Sequence, residues 1–103
     1  EKLENLIAQK KPVFIDFTAK WCLTCQVNKK LVLTRPKVLK HFEEKGYTLL
    51  VADWTEQDNS ITQALARLGR SGVPTYVVYS APDFEPEILP EILTLSMVLR
   101  AAQ

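Results

Sequence analysis

Cysteine and histidine are scarce in this chain, with two cysteines and one histidine among 103 residues. Two thiols do not make the crossed disulfide scaffold of small secreted proteins. Two thiols and a single imidazole, His41 in a charged helical stretch that reads as surface, also fall short of the roughly four ligands a structural zinc takes. An excess of charge is missing too. Thirteen basic and twelve acidic residues leave a net charge of +1, so no global field draws the chain to nucleic acid or to an anionic membrane. No uninterrupted apolar stretch exceeds five residues, against about 20 for a bilayer-spanning helix. The acidic, amphipathic N-terminus is not built like a signal peptide. The expectation is a domain with no membrane insertion of its own.

Hydrophobic residues make up 47% of the chain, enough for one core at this length,. Residues 1–103 read as a single domain, and a start at Glu1 without methionine reads as a processed or excised end of something larger.

Both cysteines stand together in Trp21-Cys22-Leu23-Thr24-Cys25, directly after the apolar run Val13-Phe14-Ile15-Asp16-Phe17. If Cys22 opens a helix, the two sulfurs share a face at a Cα separation of about 5 to 6 Å, which a disulfide tolerates. So small a ring constrains the unfolded chain by only roughly 2 kcal/mol, which favours a bond made for chemistry over a staple. At a helix N-terminus, unpaired N–H groups and the positive end of the dipole favour a thiolate on Cys22, with a pKa in the range of about 3.5 to 7.5. Cys22 is then the attacking sulfur, and Cys25, a turn deeper, resolves the mixed disulfide. Half of a metal site and an inert pair stand beside this redox reading.

In chain order, Leu3, Leu6 and Ile7 predict a surface helix over residues 2–10,. Residues 12–18 predict a strand covered on both faces and central in its sheet. Val27, Leu31 and Val32 continue a helix from the cysteines, Thr34-Arg35-Pro36 interrupts it, and Val38, Leu39 and Phe42 resume it up to Gly46,. Residues 47–54 read as a second buried strand, parallel to the first. Ser60 and Gln63 predict a capping box before a helix over 61–68 that Gly69 stops,. Tyr76-Val77-Val78-Tyr79 is a third strand, Glu87-Ile88-Leu89 an edge strand between prolines, and Thr94 caps a last helix with Leu95, Val98 and Leu99 inward,. A parallel βαβ followed by a hairpin, with helices on both faces, is an α/β sandwich.

A CxxC that follows a buried strand and opens a helix resembles the thioredoxin superfamily. Val13 to Cys25 looks like that family's pattern of strand, aspartate, aromatic and Trp-Cys-x-x-Cys, and Gly72-Val73-Pro74-Thr75 looks like its cis-proline loop. More narrowly, Asp16-Phe17-Thr18-Ala19, Val51-Ala52-Asp53-Trp54-Thr55 and Leu89-Pro90-Glu91-Ile92-Leu93-Thr94 resemble the C-terminal domain of DsbD-type thiol:disulfide interchange reductases. The resemblance implies a three-layer sandwich around a mixed sheet of four strands, or five where thioredoxin's extra N-terminal strand is present. It also implies a periplasmic domain tethered to the inner membrane. Such a domain takes electrons from a transmembrane domain and passes them to oxidised thioredoxin-like proteins, with the Cys22–Cys25 disulfide itself as the redox group and no other cofactor or metal. The dipeptide between the cysteines is Leu23-Thr24, where thioredoxin has Gly-Pro, so thioredoxin's potential does not carry over.

Asp16 is a lone carboxylate in an apolar strand, where burial raises a pKa; an aspartate at a strand end reaching water is the alternative. The resemblance makes it the proton relay for Cys25. It also makes Val73 and Pro74, with Pro74 in the cis form, partner-binding residues, and Trp21 reads as a partly exposed aromatic beside the sulfurs that serves docking. Trp54 reads as packing. Lys20, Lys29 and Lys30 flank the motif as solvated charges or as a face for an acidic partner. Two functions compete with the reductase: a binding module of the same fold without turnover, and a carrier that holds zinc or copper(I) at the CxxC.

Overall fold

The computed structural model describes residues 2–103, so Glu1, one of the polar positions expected on the first helix, lies outside the described residues. The elements are α1 (Lys2–Ala8), β1 (Val13–Thr18), α2 (Leu23–Asn28), a π-helical turn (Lys29–Leu33), α3 (Pro36–Lys45), β2 (Thr48–Asp53), α4 (Asn59–Arg67), β3 (Thr75–Tyr79), β4 (Pro86–Ile88) and α5 (Leu95–Ala101). Among the described residues they form one four-stranded sheet in the order β2-β1-β3-β4. β1 is parallel to β2 and antiparallel to β3, and β4 is antiparallel to β3. This is the mixed, helix-covered sandwich expected from the sequence.

The period of two along β1 divides the interior. Val13, Ile15 and Phe17 face one side, where they join Val77, Leu65 of α4, and Leu3 and Leu6 of α1,. Phe14 faces the other and packs with Val32, Leu33, Val38, Phe42, Tyr76, Val78 and Val98, under the π turn, α3 and α5. Each fully buried side chain of this kind contributes roughly 1.5 to 3 kcal/mol. Asp16 shares the second side with Phe14.

Four details depart from the sequence reading. β2 is an edge strand with only partial burial and an exposed Val51, because no strand lies beyond it among the described residues. Val27, Leu31 and Leu39 are exposed, although their spacing is helical. Within α2 the inward residues are Cys25 and Asn28, and the π turn, closed by Thr34 N–H donating to the Lys29 carbonyl, advances the inward face to Val32 and Leu33,. The Ser60–Gln63 capping box does not form: the helix starts earlier, at Asn59, so Ser60 lies inside its first turn and donates to Asp58 Oδ2 at 2.7 Å. His41 is half-buried, and its Nε2 donates to the Ala102 carbonyl at 2.7 Å, fastening α3 to the end of α5.

The stops and caps around these elements are local. Pro36 begins α3, and Gly46 ends it at φ 76°,. Gly69, at φ 75°, closes α4 with the paired bonds of a Schellman turn, Gly69 N–H to Ala66 and Arg70 N–H to Leu65,. Thr94 caps α5 by accepting from Met97 N–H.

Candidate functional site

Chain leaving the C-terminal end of β1 turns through Ala19–Trp21 and places Cys22 as the N-cap residue of α2. Cys22 and Cys25 form a disulfide with a Cα separation of 5.2 Å. The Cys25 N–H donates to Cys22 Sγ at 3.1 Å, so one of the free donors of the helix's first turn is aimed at that sulfur,. Cys22 is 7% exposed and Cys25 2%, which orders them as outer and inner sulfur.

Val73, from the loop before β3, packs against Ala19, Cys22 and Cys25. The Val73–Pro74 bond is cis, as the resemblance implies, and Pro74 is buried. Thr75 Oγ1 holds the loop from behind by donating to the Gly72 carbonyl at 2.8 Å. A second cis bond, Ala81–Pro82, lies in the β3–β4 turn.

On the other flank Trp21 is 53% exposed. Its Nε1 donates to the Thr55 carbonyl at 3.1 Å, and its ring lies 5.9 Å from that of Trp54. Trp54 is buried and donates to Thr62 Oγ1 at 2.8 Å, so its packing role also steadies Trp21. Lys20 N–H donates to Thr55 Oγ1 at 2.9 Å, and Thr55 is held in turn by Asp53 Oδ1 through both its hydroxyl and its N–H. Those bonds hold the Asp53 carboxyl below its ordinary range. The loop after β2 thus fixes the turn that carries Cys22, a role of Asp53 and Thr55 that no local pattern announces.

Asp16 is 6% exposed, and its Oδ1 has no hydrogen-bond partner. Burial raises its pKa to about 6, against a smaller lowering by the Lys29 ammonium. It lines a cleft with Ala19, Lys20, Gln26 and Lys29, next to the turn that leads into Cys22. Asn28 is the other buried polar group here: its Nδ2 donates to Tyr76 Oη and to the Glu91 carbonyl, both at 2.8 Å, and its Oδ1 accepts from Leu93 N–H at 3.2 Å. Nothing in its sequence neighbourhood, Gln26-Val27-Asn28-Lys29-Lys30, singles it out.

A disulfide at a helix N-cap, a less exposed second sulfur and an apposed cis-proline loop on this sheet define a class: thiol–disulfide oxidoreductases of thioredoxin-like fold. The family described as Thioredoxin-like matches residues 1–81, and the chain belongs to it. Among curated relatives, the thiol:disulfide interchange protein DsbD of Cronobacter sakazakii is 32% identical over 87 residues, covering 82% of this chain and 15% of that protein. DsbD 1 of Pseudomonas aeruginosa is 36% identical over 72 residues, covering 70% of this chain and 12% of that one. The chain therefore spans 12–15% of the length of these relatives. In fold it is similar to the reduced C-terminal domain of Neisseria meningitidis DsbD, with a TM-score of 0.75 and 23% identity over 96% of this chain and 85% of that one. A thioredoxin from Thermus thermophilus matches with a TM-score of 0.76 and 20% identity, over 97% and 77% of the two chains.

Proposed function

We propose that this chain reduces disulfides of partner proteins, with the Cys22–Cys25 pair as its only redox group. The observation that carries this reading is the asymmetry of the two sulfurs: Cys22 receives the helix N–H, and Cys25 is the less exposed. In the dithiol state the Cys22 thiolate attacks one sulfur of the partner's disulfide, and the other sulfur leaves as a thiolate and takes up a proton. Cys25 then loses its proton, to Asp16 in this proposal, and attacks Cys22 Sγ. The mixed disulfide breaks, the partner departs with two thiols, and Cys22–Cys25 is left oxidised. Two electrons have passed to the partner, and a dithiol donor must return them. The similarity to DsbD proteins supports a periplasmic domain tethered to the inner membrane, charged by a transmembrane domain and discharged to oxidised thioredoxin-like proteins.

The reducing direction follows from charge. An oxidant of this class stabilises its reduced state by lowering the attacking thiol's pKa. Here the helix N–H favours the thiolate, but there is no histidine between the cysteines, and Asp16, once ionised, opposes further negative charge nearby. Equilibration with a dithiol buffer is expected to give a potential nearer about −270 mV than about −120 mV. Cys25→Ser is expected to accumulate mixed disulfides through Cys22 with a disulfide-bonded substrate, and Cys22→Ser to accumulate few or none. Equal trapping by both would reverse the sulfur assignment, and a potential near about −120 mV would make the chain an oxidant.

A further inference from the structure

The charges of this chain balance overall and not locally. Residues 17–42 hold six of its thirteen basic residues and none of its twelve acidic ones, so this segment carries +6 and the remainder −5. The six, Lys20, Lys29, Lys30, Arg35, Lys37 and Lys40, are all exposed. The same stretch carries an apolar surface. Leu23, Val27 and Leu31 follow one another at intervals of four along α2 and the π turn and are 79%, 45% and 59% exposed. Side chains at that spacing share a face, and this one begins at the residue after Cys22, two positions beyond the exposed Trp21. Four of the eight exposed large hydrophobic side chains among the described residues thus fall within residues 21–31, a concentration that marks an interaction surface.

We propose that the face from Leu23 through Val27 to Leu31, rimmed by Lys20, Lys29 and Lys30, docks a partner protein whose disulfide lies beside apolar side chains within an acidic rim. The inference rests on the reductase reading and names the partner's surface chemistry. Charge complementarity selects the occupant: an acidic rim is steered toward the segment and a basic one is turned away. A second copy of this chain that meets it with the same positive face is repelled. An anionic membrane also suits apolar side chains framed by lysines. Lying on lipid, however, this face would close the approach to Cys22, the sulfur a protein disulfide must reach.

The test uses three synthetic peptides cyclised by one disulfide, identical except beside the cysteines: one carries Glu and Leu, one Lys and Leu, and one Glu and Ser. The reduced protein is mixed with each, and thiol release is followed. The Glu/Leu peptide is expected to react about tenfold faster than the Lys/Leu peptide at low salt, the advantage collapsing near 0.5 M salt, where the Debye length is only about 4 to 5 Å. Lys30→Glu is expected to erase most of that ratio. Val27→Ser/Leu31→Ser is expected to remove the preference for Glu/Leu over Glu/Ser; these positions are exposed, and thermal melts check that both variants fold. Equal rates on all three peptides would overturn the docking surface and leave the reductase standing. Equal rates together with sedimentation on phosphatidylglycerol vesicles, lost in Lys30→Glu, would reassign the face to a membrane. No reduction of any peptide would overturn the reductase reading and this surface with it.

Discussion

Two polar side chains are buried on the same side of the sheet, and they are treated in opposite ways. Asn28 spends both amide donors and its carbonyl on Tyr76, Glu91 and Leu93. Asp16, paired in register with Tyr76 on the neighbouring strand, leaves Oδ1 without a partner. Tyr76 lies between the two: burial pushes its phenol up to about 12, Asn28 opposes that, and the Asp16 charge adds to it, so its hydroxyl stays protonated. A satisfied buried group rigidifies a fold, whereas an unsatisfied one is kept at a cost that function explains. Asn28 is the structural node, tying α2 to the segment before α5. Asp16 is the one to which the proposed mechanism hands the Cys25 proton.

The contrast breaks most visibly at Asn28. Asn28→Ala leaves the Leu93 N–H and the Glu91 carbonyl without their partner, and the expected loss of stability is about 3 to 4 kcal/mol by denaturant titration. Asn28→Asp is expected to be nearly as harmful, because a carboxylate cannot donate to Tyr76 or Glu91. Resolution of the mixed disulfide in the surviving folded protein should change little. A loss below about 1 kcal/mol would show the node to be dispensable.

Asp16→Asn sharpens the contrast from the other side, since it is expected to stabilise the fold while slowing the chemistry. The folded-state pKa is raised from 3.8 to about 6, so the folded protein holds this proton more tightly than the unfolded chain. Stability from this group is therefore full below about pH 4, falls as pH rises through about 6, and stays reduced above. The whole shift corresponds to at most about 3 kcal/mol. The Asn variant should match the wild type at pH 4, exceed it at pH 8, and resolve mixed disulfides more slowly. Identical stability curves and identical resolution rates would remove Asp16 from the mechanism.

The legible parts of the molecule were those with a short-range cause. β1 announces itself as an apolar run, the CxxC by its spacing from that strand, and the ends of α4 and α5 by Gly69 and Thr94. Asn28 could not be read because its partners stand 48 to 65 residues away. The partial burial of β2 depends on strand order, which no local pattern encodes. Val27 and Leu31 misled for a different reason: helical spacing says that two side chains share a face and not which face is covered. Local rules fail where a surface is kept for use, and this failure lies on the helix that carries the cysteines.

The smallest effect concerns Lys29, whose charge offsets part of the cost of burying Asp16. It lines the cleft that Asp16 also lines, shared with Lys20 and Asp53, while Tyr76 pairs with Asp16 across the sheet. Lys29 is exposed, so water screens its ammonium and the coupling is a fraction of what a buried pair would show. Lys29→Met removes that attraction, and the Asp16 pKa is expected to climb further above about 6. The pH midpoint for mixed-disulfide resolution should then move up by less than about one unit, or about 1.4 kcal/mol. The pH at which stability stops falling should move with it, since both follow the same proton. Lys29→Arg keeps the charge and should restore both midpoints. A small neutral disulfide as substrate keeps docking out of the measurement, and the pH profile separates this effect from lost packing, which would lower stability equally at every pH. If Lys29→Met moves neither midpoint, Asp16 is governed by burial alone; if it moves only the stability curve, Asp16 titrates in the fold without serving the resolving sulfur.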